Sequence, residues 1–166
     1  MLFEEYKLKN VSLRNRVVMA PMTRNQSPGG VPTDDVISYY SRRAKAEVGM
    51  IITEGIEVSH EASSAYPNVP RLDSNDAKEG WKKVVAGIKN NHGVVIAQLW
   101  HCGGFRKLGM QPNPEVPGHT ASGLVKPGKK VAHEMTLEDI QETIEAYASD
   151  AKICEELGFD GVEIHG

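Results

Sequence analysis

Four short apolar segments each end in residues that could bind a flat heterocyclic ligand. These ends are Ala20-Pro21-Met22-Thr23, Thr53-Glu54-Gly55, Gln98-Leu99-Trp100-His101 and Glu163-Ile164-His165. Gln98 interrupts an apolar run, and a buried amide needs partners for its N–H groups and its oxygen. A heterocycle with alternating carbonyl and N–H groups would supply them, and so would a hydrogen bond to a neighbouring strand.

The other three ends suit the same kind of ligand. Pro21 fixes φ and has no N–H, so the chain turns off its strand and leaves the following amides and the Thr23 hydroxyl at the mouth of a pocket. Gly55 lets a ligand approach the backbone closely, and His165 could donate a hydrogen bond to a substrate oxygen. The structural alternatives are a strand-ending turn, a buried Glu54 paired with a base, and a histidine with a purely structural partner.

Two further combinations are too weak to predict a site. His101 and Cys102 are adjacent, but one histidine and one cysteine give no metal-ligand spacing, so we predict no metal. Gly103 and Gly104 do not form a dinucleotide fingerprint, because neither the spacing nor a helix directly after it is present.

The elements that position these residues follow from the hydrophobic pattern. Apolar residues recur at three and four positions and predict helices over 36–44, 81–88 and 137–151. Thr136 and Asp139 form a capping-box pattern, and Gly158 lies where a left-handed helix end is expected. Non-alternating apolar runs predict strands buried on both faces at 17–20, 50–52, 94–97 and 162–164. The predicted order is therefore β-α-β-α-β-α-β.

The loops of this α/β pattern differ in length at the two ends of the sheet. The strand-to-helix connections 57–75 and 101–135 are long, whereas the opposite turns are short, so the carboxyl ends of the strands form the working face. Residues 101–135 are expected to form an ordered surface excursion, and residues 6–13 a hairpin over the opposite end. We predict a parallel sheet in the order first to fourth strand. A doubly wound sheet would put the first strand centrally, but the chain lacks a glycine-rich first turn.

Composition restricts the class of protein. The 166 residues are 40% hydrophobic and 25% charged, which excludes a disordered chain. A net charge of −3 without a basic stripe argues against nucleic acid, and the apolar runs are too short for a membrane. Two cysteines form no disulfide framework, which favours the cytoplasm.

Taken together, the strand ends resemble the old yellow enzyme family of FMN-dependent ene reductases. The resemblance covers the whole chain and rests on four motifs, Leu13 to Arg24, Ile52 to Gly55, Ala97 to His101 and Gly158 to His165. It implies a TIM (βα)8 barrel with FMN at the carboxyl ends of the strands. The four strands, three helices and N-terminal hairpin then form the N-terminal half of that barrel. Residues 1–166 would be one half-barrel domain, with barrel strands 5–8 absent from the chain.

The resemblance also implies roles for individual residues. It assigns cofactor binding to Ala20, Pro21, Met22, Thr23, Gly55 and Gln98. The Thr23 hydroxyl would bond a flavin carbonyl, Gly55 would pass beneath the ring, and the Gln98 amide would contact its pyrimidine edge. Trp100 would line the substrate pocket, and His165 would hold the substrate's carbonyl oxygen as the catalytic residue.

The expected activity is hydride transfer from reduced FMN to activated alkenes, the α,β-unsaturated carbonyl compounds, with NADH or NADPH as reductant. In the family, a second carbonyl-binding residue comes three positions after His165 and a proton-donating tyrosine five after it. The chain contains neither, nor the flavin-phosphate site or the cation near the ring, so we expect the isolated chain to be inactive. The alternative is a non-catalytic half-barrel fragment. Open sheet edges predict self-association or a complementary half-barrel as partner.

Overall fold

The computed structural model describes residues 1–166 and contains three α-helices and ten strands. The helices are α1 (Asp34–Lys45), α2 (Asn75–Lys89) and α3 (Leu137–Glu156). The strands are β1 (Tyr6–Leu8), β2 (Val11–Leu13), β3 (Val18–Met19), β4 (Met50–Glu57), β5 (Val94–Trp100), β6 (His119–Thr120), β7 (Leu124–Lys126), β8 (Lys129–Lys130), β9 (His133–Glu134) and β10 (Gly161–His165).

The main sheet is parallel, with the strand order β10-β5-β4-β3. This confirms the predicted order of the four strands and excludes a doubly wound sheet with the first strand inside. Three strands extend further than predicted, because polar or aromatic residues at their carboxyl ends remain in the hydrogen-bonded ladder. No helix combines the length and apolar composition that a membrane crossing requires.

The core lies between one face of the sheet and the helices. α1 buries Val36, Tyr40 and Ala44, one helical turn apart, and α2 buries Trp81 and Ile88 among others. They pack against β4 and β5 residues whose side chains point to the same face of the sheet. Each such large apolar side chain contributes about 1.5–3 kcal/mol on burial.

α3 buries only part of the apolar stripe from which the helix was predicted. Leu137 is 86% and Ile144 55% accessible, whereas Tyr147 and Ala151 are partly buried against the core. The buried positions are instead Ala146, Asp150 and Cys154. The reason is that α3 packs beside β10, the edge strand, and no further helix covers its outer flank. The ends of α3 are as predicted, with a capping box at Thr136 and a left-handed Gly158.

Two loop regions support the sheet at opposite ends. The hairpin β1-β2 is confirmed, with Leu8 paired to Val11 across a two-residue turn. Just after it, Asn15 donates a hydrogen bond of 2.7 Å to the Glu47 carbonyl beside the amino end of β4. The excursion 101–135 is ordered around the buried Arg106, whose guanidinium donates to carbonyl groups including that of Ser64.

Candidate ligand site at the carboxyl ends of the strands

One row of the sheet brings together Gly55, Gln98 and Glu163, which lie side by side on β4, β5 and β10. The Gln98 side-chain amide donates a hydrogen bond of 2.7 Å to a Glu163 carboxylate oxygen. Of the two alternatives for this buried amide, a hydrogen bond to a neighbouring strand is therefore present. The Gln98 oxygen accepts no hydrogen bond from the protein and lies beside Gly55, so the amide retains an acceptor and one N–H for a ligand.

A β-bulge keeps Gly55 in this row. Ile52 pairs with Ile96 but Gly55 pairs with Gln98, so β4 contains one extra residue between these pairs. The Thr53 hydroxyl within the bulge accepts from the backbone N–H of Gln98 at 3.3 Å. Because of the extra residue, a glycine rather than a carboxylate stands opposite the Gln98 amide.

Aromatic side chains form the next row toward the strand ends. Trp100 and His165 are paired in the ladder, and their ring centroids are 5.8 Å apart. Tyr66 from the loop after β4 stacks on Trp100 at 5.4 Å. A β-carbon added to Gly55 would lie only 2.7 Å from the Trp100 ring, so the indole packs directly over the glycine. His165 is exposed and open to a ligand.

Residues 20–23 leave the sheet after β3 and are mainly exposed. The backbone N–H groups of Met22 and Thr23 donate to no protein atom, so they are accessible to a ligand. No hydrogen bond joins this segment to Gln98 or His165. The structure clusters Gly55, Gln98, Trp100 and His165, and residues 20–23 follow β3, the strand next to β4.

Glu54 anchors the end of that segment. It is fully buried, and its carboxylate pairs with the Arg24 guanidinium and accepts from the Arg24 backbone N–H at 3.3 Å. The Tyr40 hydroxyl donates to the same carboxylate, and burial raises the pKa of this hydroxyl, so it remains a donor. The alternative of a buried Glu54 paired with a base is thus correct. The position of the chain just after residue 23 depends on this ion pair.

Four histidines lie near the site in a connected array. His101 follows β5, and its Nε2 is 3.1 Å from Nδ1 of His60. The Gly103 and Ala62 backbone N–H groups donate to the Nδ1 atoms of His101 and His60, so His101 Nε2–H is the donor between the rings. His119 and His133 extend the array, with centroids 4.6 Å apart. No group of three or more potential ligands is arranged to hold a metal, and burial raises the pKa of the Cys102 thiol to about 12.

We expect the array to make folding stability depend on pH. Burial, reinforced by His60 and His119, lowers the pKa of His101 to about 4, against about 6.5 in an unfolded chain. The unfolded chain therefore binds more protons between these values, and stability falls as pH decreases from 6.5 toward 4, by up to about 1.4 kcal/mol per pH unit. Urea unfolding of wild type and His101→Gln at pH 8 and pH 5 measures this contribution.

The His101→Gln variant is the control, because the glutamine amide retains an N–H donor but has no group that titrates in this pH range. Burial raises the pKa values of Glu57 and Asp150. Their protonation therefore favours the folded state as the pH falls, and this opposes the effect of His101 equally in wild type and variant. The difference between wild type and variant isolates His101, and an equal loss of stability on acidification in both would contradict its neutral state.

Sequence reasoning missed three groups at this end of the sheet. Tyr66 lies in a loop without periodicity, so nothing in the sequence indicated that it stacks on Trp100. Glu163 was included only as part of a motif, although a carboxylate within an apolar run was a detectable signal. The strand that carries it was predicted to be buried on both faces, but β10 is a largely exposed edge strand. His60 could be placed beside His101 only after the loops were folded.

The fold is a parallel α/β segment, and a cluster of polar and aromatic side chains lies at the carboxyl ends of its strands. The sequence profile of the NADH:flavin oxidoreductase / NADH oxidase family matches residues 1–166. The chain belongs to this family, as the resemblance had implied.

Individual reductases are similar to the chain in sequence and in structure. The chain is 33% identical over 175 residues to 12-oxophytodienoate reductase 2 of Arabidopsis thaliana, covering 99% of the chain and 46% of that protein. Morphinone reductase superposes with a TM-score of 0.90 at 30% identity, over 99% of the chain and 47% of the neighbour. Another structure of morphinone reductase contains tetrahydroNAD.

An Old Yellow Enzyme from Pichia sp. AKU4542 has a TM-score of 0.88 at 30% identity, with 99% of the chain and 45% of the neighbour covered. The chain thus spans about half the length of these relatives and corresponds to the N-terminal half of the family fold.

Proposed function

We propose that the chain is the N-terminal half of an FMN-dependent ene reductase that reduces alkenes conjugated to a carbonyl group. In this proposal residues 1–166 form a single half-barrel domain with four of the eight strands of a TIM barrel. The single observation that supports it most is the buried Gln98 amide, which keeps an unused acceptor and an unused N–H beside a glycine.

The residues present fit FMN. The pyrimidine edge of a flavin alternates carbonyl and N–H groups, which the free acceptor and donor of Gln98 complement. Gly55 adds no side chain beside the Gln98 oxygen, where only the Trp100 indole packs over it, and the backbone N–H groups of Met22 and Thr23 are available to the ring. The Thr23 hydroxyl would donate to a ring carbonyl and stabilise negative charge on the reduced ring. When bound, FMN supplies the hydride.

The aromatic row would hold the substrate. His165 would donate a hydrogen bond to the carbonyl oxygen of the substrate and draw electron density from the conjugated alkene. Trp100 and Tyr66, stacked on one another, would form an apolar wall of the pocket. The Tyr147 hydroxyl donates to the His165 backbone carbonyl at 3.2 Å and fixes the main chain at this position.

A nicotinamide donor and a small enone-type substrate complete the proposed reaction. The family description and the tetrahydroNAD complex of morphinone reductase support NADH or NADPH as reductant. The reductase names of the relatives support a small-molecule substrate. Nothing supports nucleic acid or a membrane as a partner. We place the protein in the cytoplasm, where free thiols such as the buried Cys102 and Cys154 persist.

The second candidate function, called the assembly role, is a non-catalytic half-barrel that associates with another chain. The open edge of the sheet favours it. An apolar groove of about 370 Å³ lies between α3 and β10. It is lined by Leu99, Ile144, Tyr147, Ala148, Ala151, Val162 and Ile164. Exposed apolar surface next to an unpaired strand favours association. The occupant of the groove would be a complementary half-barrel or a second copy of the chain. Yellow colour that the purified protein retains through desalting would distinguish a flavin-binding chain from a fragment without cofactor.

We expect Gln98→Leu to weaken FMN binding more than His165→Ala does. The first change removes a buried amide that would pair with the cofactor, at about 1–3 kcal/mol. The second removes a group that would contact chiefly the substrate. Quenching of flavin fluorescence on titration of FMN with each variant gives the two dissociation constants.

Circular dichroism controls for folding, since Gln98→Leu also leaves Glu163 without its partner. Equal dissociation constants in two folded variants would refute the assigned roles. A wild-type chain that leaves FMN fluorescence unchanged would argue for the assembly role instead.

A further inference from the structure

We propose that Glu163 is a positioning residue that fixes the orientation of the Gln98 side-chain amide, so that its oxygen faces the ligand. This rests on the proposed function, because the ligand in question is the pyrimidine edge of FMN. The two residues lie opposite one another on β10 and β5, and the carboxylate accepts from the amide nitrogen at 2.7 Å.

The chemistry of the pair determines which way the amide faces. An ionised carboxylate only accepts hydrogen bonds, whereas an amide can donate or accept depending on a rotation of half a turn. Glu163 therefore selects the rotamer that presents NH2 to β10. The Gln98 oxygen is then directed toward β4, where a β-carbon built on Gly55 would lie 3.4 Å from it.

No other group in the chain performs this selection. The Thr53 hydroxyl donates to the Glu54 carbonyl and accepts from the backbone N–H of Gln98, so it does not bond the side-chain amide, and Gly55 has no side chain to hold that amide from the other side. With an apolar residue at 163, both rotamers would be populated. Only one of them offers an acceptor to a ligand N–H group, so part of the binding free energy would be spent on selecting it.

The test compares Glu163→Leu, which cannot accept, with Glu163→Gln, whose amide can either accept from Gln98 or donate to it and so selects the rotamer less completely. Glu156→Leu, an exposed carboxylate at the end of α3, is the matched control. Selecting one of two comparably populated rotamers costs about a factor of two, so we expect Glu163→Leu to raise the FMN dissociation constant by about that factor, Glu163→Gln to raise it less, and Glu156→Leu to match wild type. Fluorescence titration measures all four proteins.

A flavin analogue distinguishes orientation from general loss of structure. FMN methylated on its pyrimidine N–H cannot donate to the Gln98 oxygen, so wild type should prefer FMN to the analogue. We expect this preference to shrink most in Glu163→Leu and less in Glu163→Gln, which selects the rotamer only in part. A purely structural role would weaken both flavins equally.

A measurement on wild type alone keeps the proposal testable if Glu163→Leu does not fold. The two side-chain NH2 protons of Gln98, assigned by their loss in Gln98→Leu, should have well-separated resonances, with the proton that faces Glu163 shifted downfield by its hydrogen bond. If neither proton is shifted in this way, or if folded Glu163→Leu binds both flavins like wild type, the role of Glu163 is overturned and the proposed function stands. Failure of wild type to bind FMN overturns both.

Discussion

Supplied with FMN and NADPH, the 166-residue chain alone should reduce cyclohexenone at a rate far below that of a complete family enzyme. By family resemblance, the proton-donating tyrosine and the flavin-phosphate site lie in the half of the fold that this chain does not contain. Loss of a positioned general acid alone costs about 10²–10⁴-fold in rate, and weak cofactor binding adds to that loss. A steady-state assay of NADPH oxidation with and without cyclohexenone measures the rate.

Adding a separately expressed C-terminal half should restore turnover. That half would pair with β10 and β3, the two open edges, and cover the groove beside α3. The control is the same mixture made with His165→Ala, which should assemble but turn over slowly. Turnover by the isolated chain at the rate of a complete enzyme would mean that the site is assigned to the wrong residues.

Replacing Glu54 with leucine should lower the free energy of unfolding by about 3–5 kcal/mol. Removing one partner of a buried ion pair leaves the other charge uncompensated, at about that cost. Here the Arg24 guanidinium and the Tyr40 hydroxyl would both lose their acceptor. Urea unfolding followed by circular dichroism gives the difference between variant and wild type.

The matched control removes both charges. Replacing a buried pair by apolar residues is often nearly neutral, so Glu54→Leu combined with Arg24→Met should lose less stability than Glu54→Leu alone. Because Arg24 directly follows the segment 20–23, the single variant should also bind FMN more weakly. A single variant as stable as wild type would show that the ion pair contributes nothing to holding this segment.

The arrangement of the sheet could be predicted because it depends on local patterns. Non-alternating apolar runs separated by amphipathic helices leave few topologies, and short helix-to-strand turns force neighbouring strands to pair. The capping box at Thr136 and the hairpin turn after Leu8 are also local, since each depends on residues a few positions apart. The burial of α3 could not be obtained in this way, because it depends on which elements lie beyond β10.

By itself, the sequence determined the order of the strands, the end of the sheet where the candidate site lies and the residue types that end each strand. Only the tertiary structure decided which partners those residues have. The bulge in β4 sets Gly55 rather than Glu54 beside Gln98, and the register of β10 puts Glu163 within hydrogen-bonding distance of the amide. Side chains on different strands meet through register, and one extra residue exchanges the two faces of a strand, so such contacts cannot be deduced from spacing along the chain.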